Sequence, residues 1–235
     1  MAFHRFVRAL SPIALAPVAV AAAAMLAGCD GADVSINGGK GQPLAELDMT
    51  GAPPKGLILL GPDEVRLRSG EKLAITVDGD PALVSAMRFT LKDGTLGILR
   101  DKGSWTDSST AIVNVTMPAP ETLVAAGSGT IRAEGLAPRA EVTIAGSGDV
   151  ETLAVAATKL DVTIAGSGSY RAAGTAENLE MTIAGSGDAA MEGLKAQTAK
   201  ITIAGTGRSR FASDGTVTAD ILGSGEVQVR GQAKC

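Results

Sequence analysis

Residues 141–149 read EVTIAGSGD, 161–169 read DVTIAGSGS, 180–188 read EMTIAGSGD and 200–208 read KITIAGTGR. The first glycine of each Gly-Ser-Gly or Gly-Thr-Gly serves as a marker. Extended in both directions, the markers are Gly127, Gly146, Gly166, Gly185, Gly205 and Gly223, at intervals of 19, 20, 19, 20 and 18 residues. A period this regular is the signature of a solenoid, in which each repeat buries its apolar face only by stacking on the next.

Alignment on the marker separates inward from outward positions. Two residues before it stand Ala125, Ile144, Ile164, Ile183, Ile203 and Ile221, and four before it Leu123, Val142, Val162, Met181, Ile201 and Ala219. Between these apolar columns lie Val124, Thr143, Thr163, Thr182, Thr202 and Asp220, mostly β-branched and polar. A period of two with one apolar side defines a half-buried strand. A second alternation follows the glycines, with Ile131, Val150, Tyr170, Ala189, Ser209 and Val227 four beyond the marker and Ala133, Thr152, Ala172, Met191, Phe211 and Val229 six beyond it. The pattern predicts an all-β fold: a single-stranded parallel β-helix with coils of about 19–20 residues, each coil holding two or three strands.

The paired glycines are expected to be structural turns: Gly127 and Gly129, Gly146 and Gly148, Gly166 and Gly168, Gly185 and Gly187, Gly205 and Gly207, Gly223 and Gly225. A sharp corner between strands needs positive φ or close backbone approach, which a Cβ would obstruct. No lysine follows and no strand-to-helix step is evident, so these corners are neither phosphate loops nor nucleophile elbows.

Stacking sets equivalent residues about 4.8 Å apart, where two like charges in water repel by roughly 0.9 kcal/mol. Three beyond the marker the column reads Thr130, Asp149, Ser169, Asp188, Arg208 and Glu226, with its acids kept apart. Five before the marker stand Glu141, Asp161, Glu180 and Lys200, three consecutive acids and one base. That column calls for relief from Arg139 and Lys159, two residues upstream on the same face, or from a cation. Glu141, Asp161 and Glu180, with the turn residues Asp149 and Asp188, are therefore the candidate surface ladder.

Residues 57–122 carry strand signals without a strict repeat, at Val65 and Leu67, Leu73–Val77, Met87–Leu91, Leu96–Leu99 and Ile112–Met117, and Asp93-Gly94 suits a hairpin turn. This part is expected to form irregular β coils that cap the regular repeats of 123–235, because an exposed strand edge invites aggregation.

The first 28 residues hold His4, Arg5 and Arg8, then an apolar run from Ile13 to Leu26 broken only by Pro17, with no acid before Asp30. This is the pattern of a secretory signal peptide, too short to span a bilayer. It ends Leu26-Ala27-Gly28-Cys29, which resembles the lipobox of bacterial lipoproteins; the resemblance implies that Cys29 is lipidated and anchors the chain in a membrane. The expected location is the cell envelope, facing the periplasm or the surface, with inner and outer membrane both open. Residues 29–56, rich in glycine and proline, read as a flexible tether.

Removing Arg5 and Arg8 leaves 19 basic against 25 acidic residues, a formal charge of about −6, which disfavours nucleic acid as a partner. With Cys29 consumed by lipid, Cys235 is the remaining thiol and no intramolecular disulfide forms. The single histidine, His4, leaves with the leader, so neither a Ser-His-Asp triad nor a histidine metal site is expected. Trp105 and Tyr170, the only Trp and Tyr, read as packing. No catalytic residue, metal or cofactor is assigned.

The Ile-Ala-Gly-Ser-Gly-Asp repeats, preceded by Leu96-Gly97-Ile98 and the strand Val113–Pro118, resemble the head GIN domain family of auto-transporter adhesin heads over residues 44–235. The resemblance implies a β-helix, frequently lipid-anchored, with no established activity. The expected function is a non-catalytic envelope module, structural, adhesive or binding, facing an envelope protein or a glycan. The alternative is a polysaccharide-active β-helix enzyme.

Overall fold

The computed structural model describes residue 36 and residues 40–101 and 109–234. The leader, Cys29, Trp105 and Cys235 lie outside the described residues. The strands are β1 (Gly56–Leu60), β2 (Glu64–Ser69), β3 (Ala74–Asp78), β4 (Met87–Lys92), β5 (Thr95–Arg100), β6 (Ile112–Met117), β7 (Thr122–Gly127), β8 (Thr130–Gly135), β9 (Arg139–Gly146), β10 (Asp149–Gly166), β11 (Ser169–Gly185), β12 (Asp188–Gly205), β13 (Arg208–Gly223) and β14 (Glu226–Arg230). One short helix, α1 (Pro81–Ala86), separates β3 from β4.

The expected stacking is realised. Ile144 pairs with Ile164, Ile164 with Ile183 and Ile183 with Ile203, all in parallel register, so residues one period apart are rungs of one ladder. Both inward columns are buried from Leu123 and Ala125 through Ile201 and Ile203, as is the second alternation from Ile131 to Phe211. The interior is thin and filled mainly by Ile, Val, Leu, Met and Ala, which explains how a chain so poor in aromatics still builds a continuous core. From β10 to β13 each coil is one long, bent strand; register shifts at Thr152/Val155, Arg171/Ala173 and Met191/Lys195 mark a third corner less regular than the glycine corner.

The N-terminal part caps the stack, but not in sequence order. β1 lies between β5 and β7, and β2 lies between β6 and β8. The coil made first in the sequence is thus the second in space, with the β5–β6 coil laid beneath it. Outside that lowest coil the chain turns antiparallel: β4 pairs with β5 and β3 with β6. Asp93 and Gly94, both with positive φ (51° and 69°), make the two-residue turn joining β4 to β5, as read from the sequence. α1 carries no strong periodicity; Asp80 caps it by accepting from the Ala82 amide at 2.8 Å, with Pro81 in its first turn.

Two expectations need correction. The stretch read as a tether contributes to the cap: Ile36 is buried, Gln42 and Phe89 exchange backbone hydrogen bonds of 2.9 and 2.8 Å, and Leu44 and Leu47 pack on the core. Glycine and proline content concealed these few apolar anchors. The inward columns also fail at the last coil, where Ala219 is exposed and Ile221 is 44% exposed, because among the described residues no further strand covers that half of β13.

Candidate binding surface

The glycine corner is a backbone ladder. Ser167 N–H donates to Gly146 O at 2.9 Å and Ser186 N–H to Gly166 O at 2.9 Å, and a second bond per coil joins Asp188 N–H to Gly168 O at 3.1 Å. The two glycines serve different purposes. The first of each pair has φ between 116° and 132°, and a Cβ on Gly166 would strike the Gly146 carbonyl oxygen beneath it. The second is held to glycine by packing alone; a Cβ on Gly187 would run into the Ile164 side chain of the preceding coil. The hydroxyls between them face solvent, and Thr206 Oγ1 donates to Ser186 Oγ at 3.1 Å.

The acid column is in register as expected: Glu141 pairs with Asp161, Asp161 with Glu180 and Glu180 with Lys200. Lys159 relieves it, with its ammonium 2.8 Å from Asp161 and 3.6 Å from Glu180. The hydrogen bond to Asp161 raises the Lys159 pKa above its ordinary value, outweighing the lowering from partial burial. The turn column is also balanced. Ser169 Oγ donates to Asp149, Arg210 lies 2.7 Å from Asp188 and 3.2 Å from Glu192, and Arg208 approaches Glu226 at 3.9 Å. The five ladder residues therefore sit in two outward columns, in which Asp161, Glu180 and Asp188 meet a cation and Asp149 accepts a serine hydroxyl. Among the described residues, no three His, Cys, Asp or Glu side chains gather as a metal would require.

Tyr170 is fully buried in its inward column, its hydroxyl 2.8 Å from Thr152 Oγ1. Burial pushes the phenol far above its ordinary pKa, against the smaller opposing effect of that hydrogen bond. The tyrosine is packing, as its column implied.

The sequence reading missed Gly61 and Asp63. Gly61 (φ 131°) lies directly under Gly127, and Asp63 occupies the layer beneath Gly129, accepting the Thr130 amide on its carbonyl at 2.9 Å. Gly61-Pro62-Asp63 is thus a disguised copy of the corner, with an aspartate at the inward glycine position. Its carboxylate is fully buried and meets the buried Arg100 guanidinium twice, at 2.7 Å from Nε and 2.5 Å from Nη. Asp63 also accepts the Ala111 amide at 2.9 Å, and Arg100 donates to the Ser109 carbonyl at 2.7 Å. A Gly-x-Asp after an apolar run was the available signal, hidden by the proline and the irregular spacing.

A parallel β-solenoid with a stacked glycine corner and laterally spread, self-paired charge defines the class of this protein. The chain belongs to the family described as "Putative auto-transporter adhesin, head GIN domain", whose model matches residues 53–233. No curated protein matches it in sequence. Solved structures similar to it include an adhesin described as putative from Bacteroides fragilis NCTC 9343 (TM-score 0.61, 18% identity, covering 75% of this chain and 92% of that one). Another is a "putative lipid binding protein" from Parabacteroides distasonis ATCC 8503 (TM-score 0.54, 19% identity, 76% and 93%). A third is a "putative adhesin" from Parabacteroides merdae ATCC 43184 (TM-score 0.52, 18% identity, 75% and 92%). At these identities the likeness establishes the fold.

Proposed function

We propose that this chain is a lipid-anchored protein of the cell envelope, facing the periplasm or the surface, whose solenoid is a non-catalytic adhesive or binding module for an envelope protein or glycan. The observation that carries this reading is the outward ladder Glu141, Asp161 and Glu180, repeated once per coil on a β face, with Lys159 paired to Asp161 and Glu180. Groups repeating at the strand spacing suit a ligand that itself repeats. The adhesin description of the family and of its solved neighbours points to the same class and to the envelope or surface. The leader and its Leu26-Ala27-Gly28-Cys29 ending support the anchor.

The test combines a glycan array with capture from envelope extract, using the full chain and a variant with Glu141, Asp161 and Glu180 replaced by alanine. Retention of an unaltered ligand by the native chain, lost in the variant at an unchanged melting temperature, is the expected result. Cleavage of a retained glycan would instead establish the polysaccharide-active enzyme. Melting with and without calcium separates a cation role for the ladder, which would stabilise only the native chain. The anchor is tested by Cys29→Ala, which should move the protein from the membrane to the soluble fraction.

A further inference from the structure

Among the described residues β14 is the last strand of the stack and pairs on one side only, with β13. Its Glu226 amide donates to Gly207 O on the inner side at 3.0 Å. Successive residues turn their backbone polar groups to opposite sides of a strand, so Val227 and Val229 direct theirs toward the free edge. Both valine side chains pack half-buried against the core, while Glu226, Gln228 and Arg230 are exposed. The strand reads EVQVR, a sequence complementary to itself when reversed about Gln228.

We infer that this edge is a self-association site, where a second copy of the chain adds its own β14 antiparallel about a two-fold axis through Gln228. In that register Glu226 faces Arg230 of the other copy, twice by symmetry. Val227 faces Val229, with the apolar sides of both strands toward the core. Val227 and Val229 are also the residues whose amides and carbonyls are free, so the facing valines form the hydrogen-bonded pairs and Gln228 meets its counterpart in the non-hydrogen-bonded position. A slip of one residue would set apolar against charged side chains, and a slip of two would separate Glu226 from Arg230 in both symmetry-related pairs. The same open end carries Ile221 and Leu222, 44% and 79% exposed.

A second copy is favoured as occupant over head-to-tail growth because the opposite end is covered by the antiparallel β3 and β4, with β4 bridged in turn by Gln42. A two-fold contact closes on itself, whereas a head-to-tail contact would need a free parallel edge at that end.

Sedimentation velocity of the full chain carrying Cys235→Ser, over a range of concentrations in detergent, should show a reversible dimer. Glu226→Arg or Arg230→Glu alone should weaken it about tenfold, by turning two attractions into repulsions. The two together should restore it, since the strand again complements itself. Independently, Gln228→Cys in the same background should form a disulfide mapped to position 228 of both copies, as the close non-hydrogen-bonded spacing allows, while Thr163→Cys should not. The cysteine measurement decides the matter even if a charge variant fails to fold. A chain that stays monomeric, a dimer indifferent to charge reversal, or a dimer that does not link at 228 would each overturn the inference.

Discussion

At the N-terminal end the lowest parallel coil, β5–β6, is covered by antiparallel β4 and β3, and the chain before β1 folds over β4. At the C-terminal end β14 covers only residues 208–212 of β13, and the tail returns just far enough for Val217 N–H to donate to Lys234 O at 2.9 Å. The Ile column that is fully buried at Ile203 is nearly half exposed at Ile221. The contrast teaches that inward-facing sequence is necessary for burial and insufficient for it: a solenoid residue is buried only by the coil above it. Closing the N-terminal end required departing from the repeat, and the buried Asp63–Arg100 pair sits at that departure.

The largest expected effect tests the closed end. Asp63→Ala leaves Arg100 charged and buried without its carboxylate and should cost about 3–5 kcal/mol in chemical unfolding. Replacing Asp63 by Leu and Arg100 by Met together should cost much less than the sum of the two single changes, and additivity would show that the pair does not act as a unit.

Truncation of the same column at two heights sharpens the comparison. Ile203→Ala, inside the stack, should lose about 2–5 kcal/mol, whereas Ile221→Ala, at the open end, should lose under about 1 kcal/mol. Equal losses would mean that the C-terminal end is covered in solution, as the β14 dimer would partly bring about, and dilution below dimerisation would restore the difference.

A loss smaller than that at Ile203 is expected midway along the stack. Tyr170→Phe removes the bond to Thr152 and should cost about 1–2 kcal/mol at neutral pH. Because burial raises the folded-state pKa of the phenol, its neutral form is favoured by folding. Its contribution is complete below the unfolded value near 10 and falls as pH rises beyond it. The variant should therefore lose less stability than the native chain from pH 10 upward, as read from melting temperatures.

Much of this was legible in the residues. The markers from Gly127 to Gly223 gave the coil length, and the Ile and Val columns gave the inward side, because stacking forces equivalent positions into equivalent environments. The pairing of Glu141, Asp161 and Glu180 followed from the same spacing; of Arg139 and Lys159, both expected to relieve it, Lys159 meets Asp161 and Glu180. Gly61 and Asp63 were not legible, since no repeat surrounds them and the partner Arg100 is distant in sequence.

By itself, then, the sequence determined the solenoid, its period, its buried side and the need for glycine at the corner, because each depends on local periodicity repeated in register. Only the tertiary structure decided that the first coil is second in space, that an aspartate replaces an inward glycine to meet Arg100, and that one end is closed while the other stays open. Those features arise from contacts between segments with no shared pattern, and burial at an end depends on what lies beyond it.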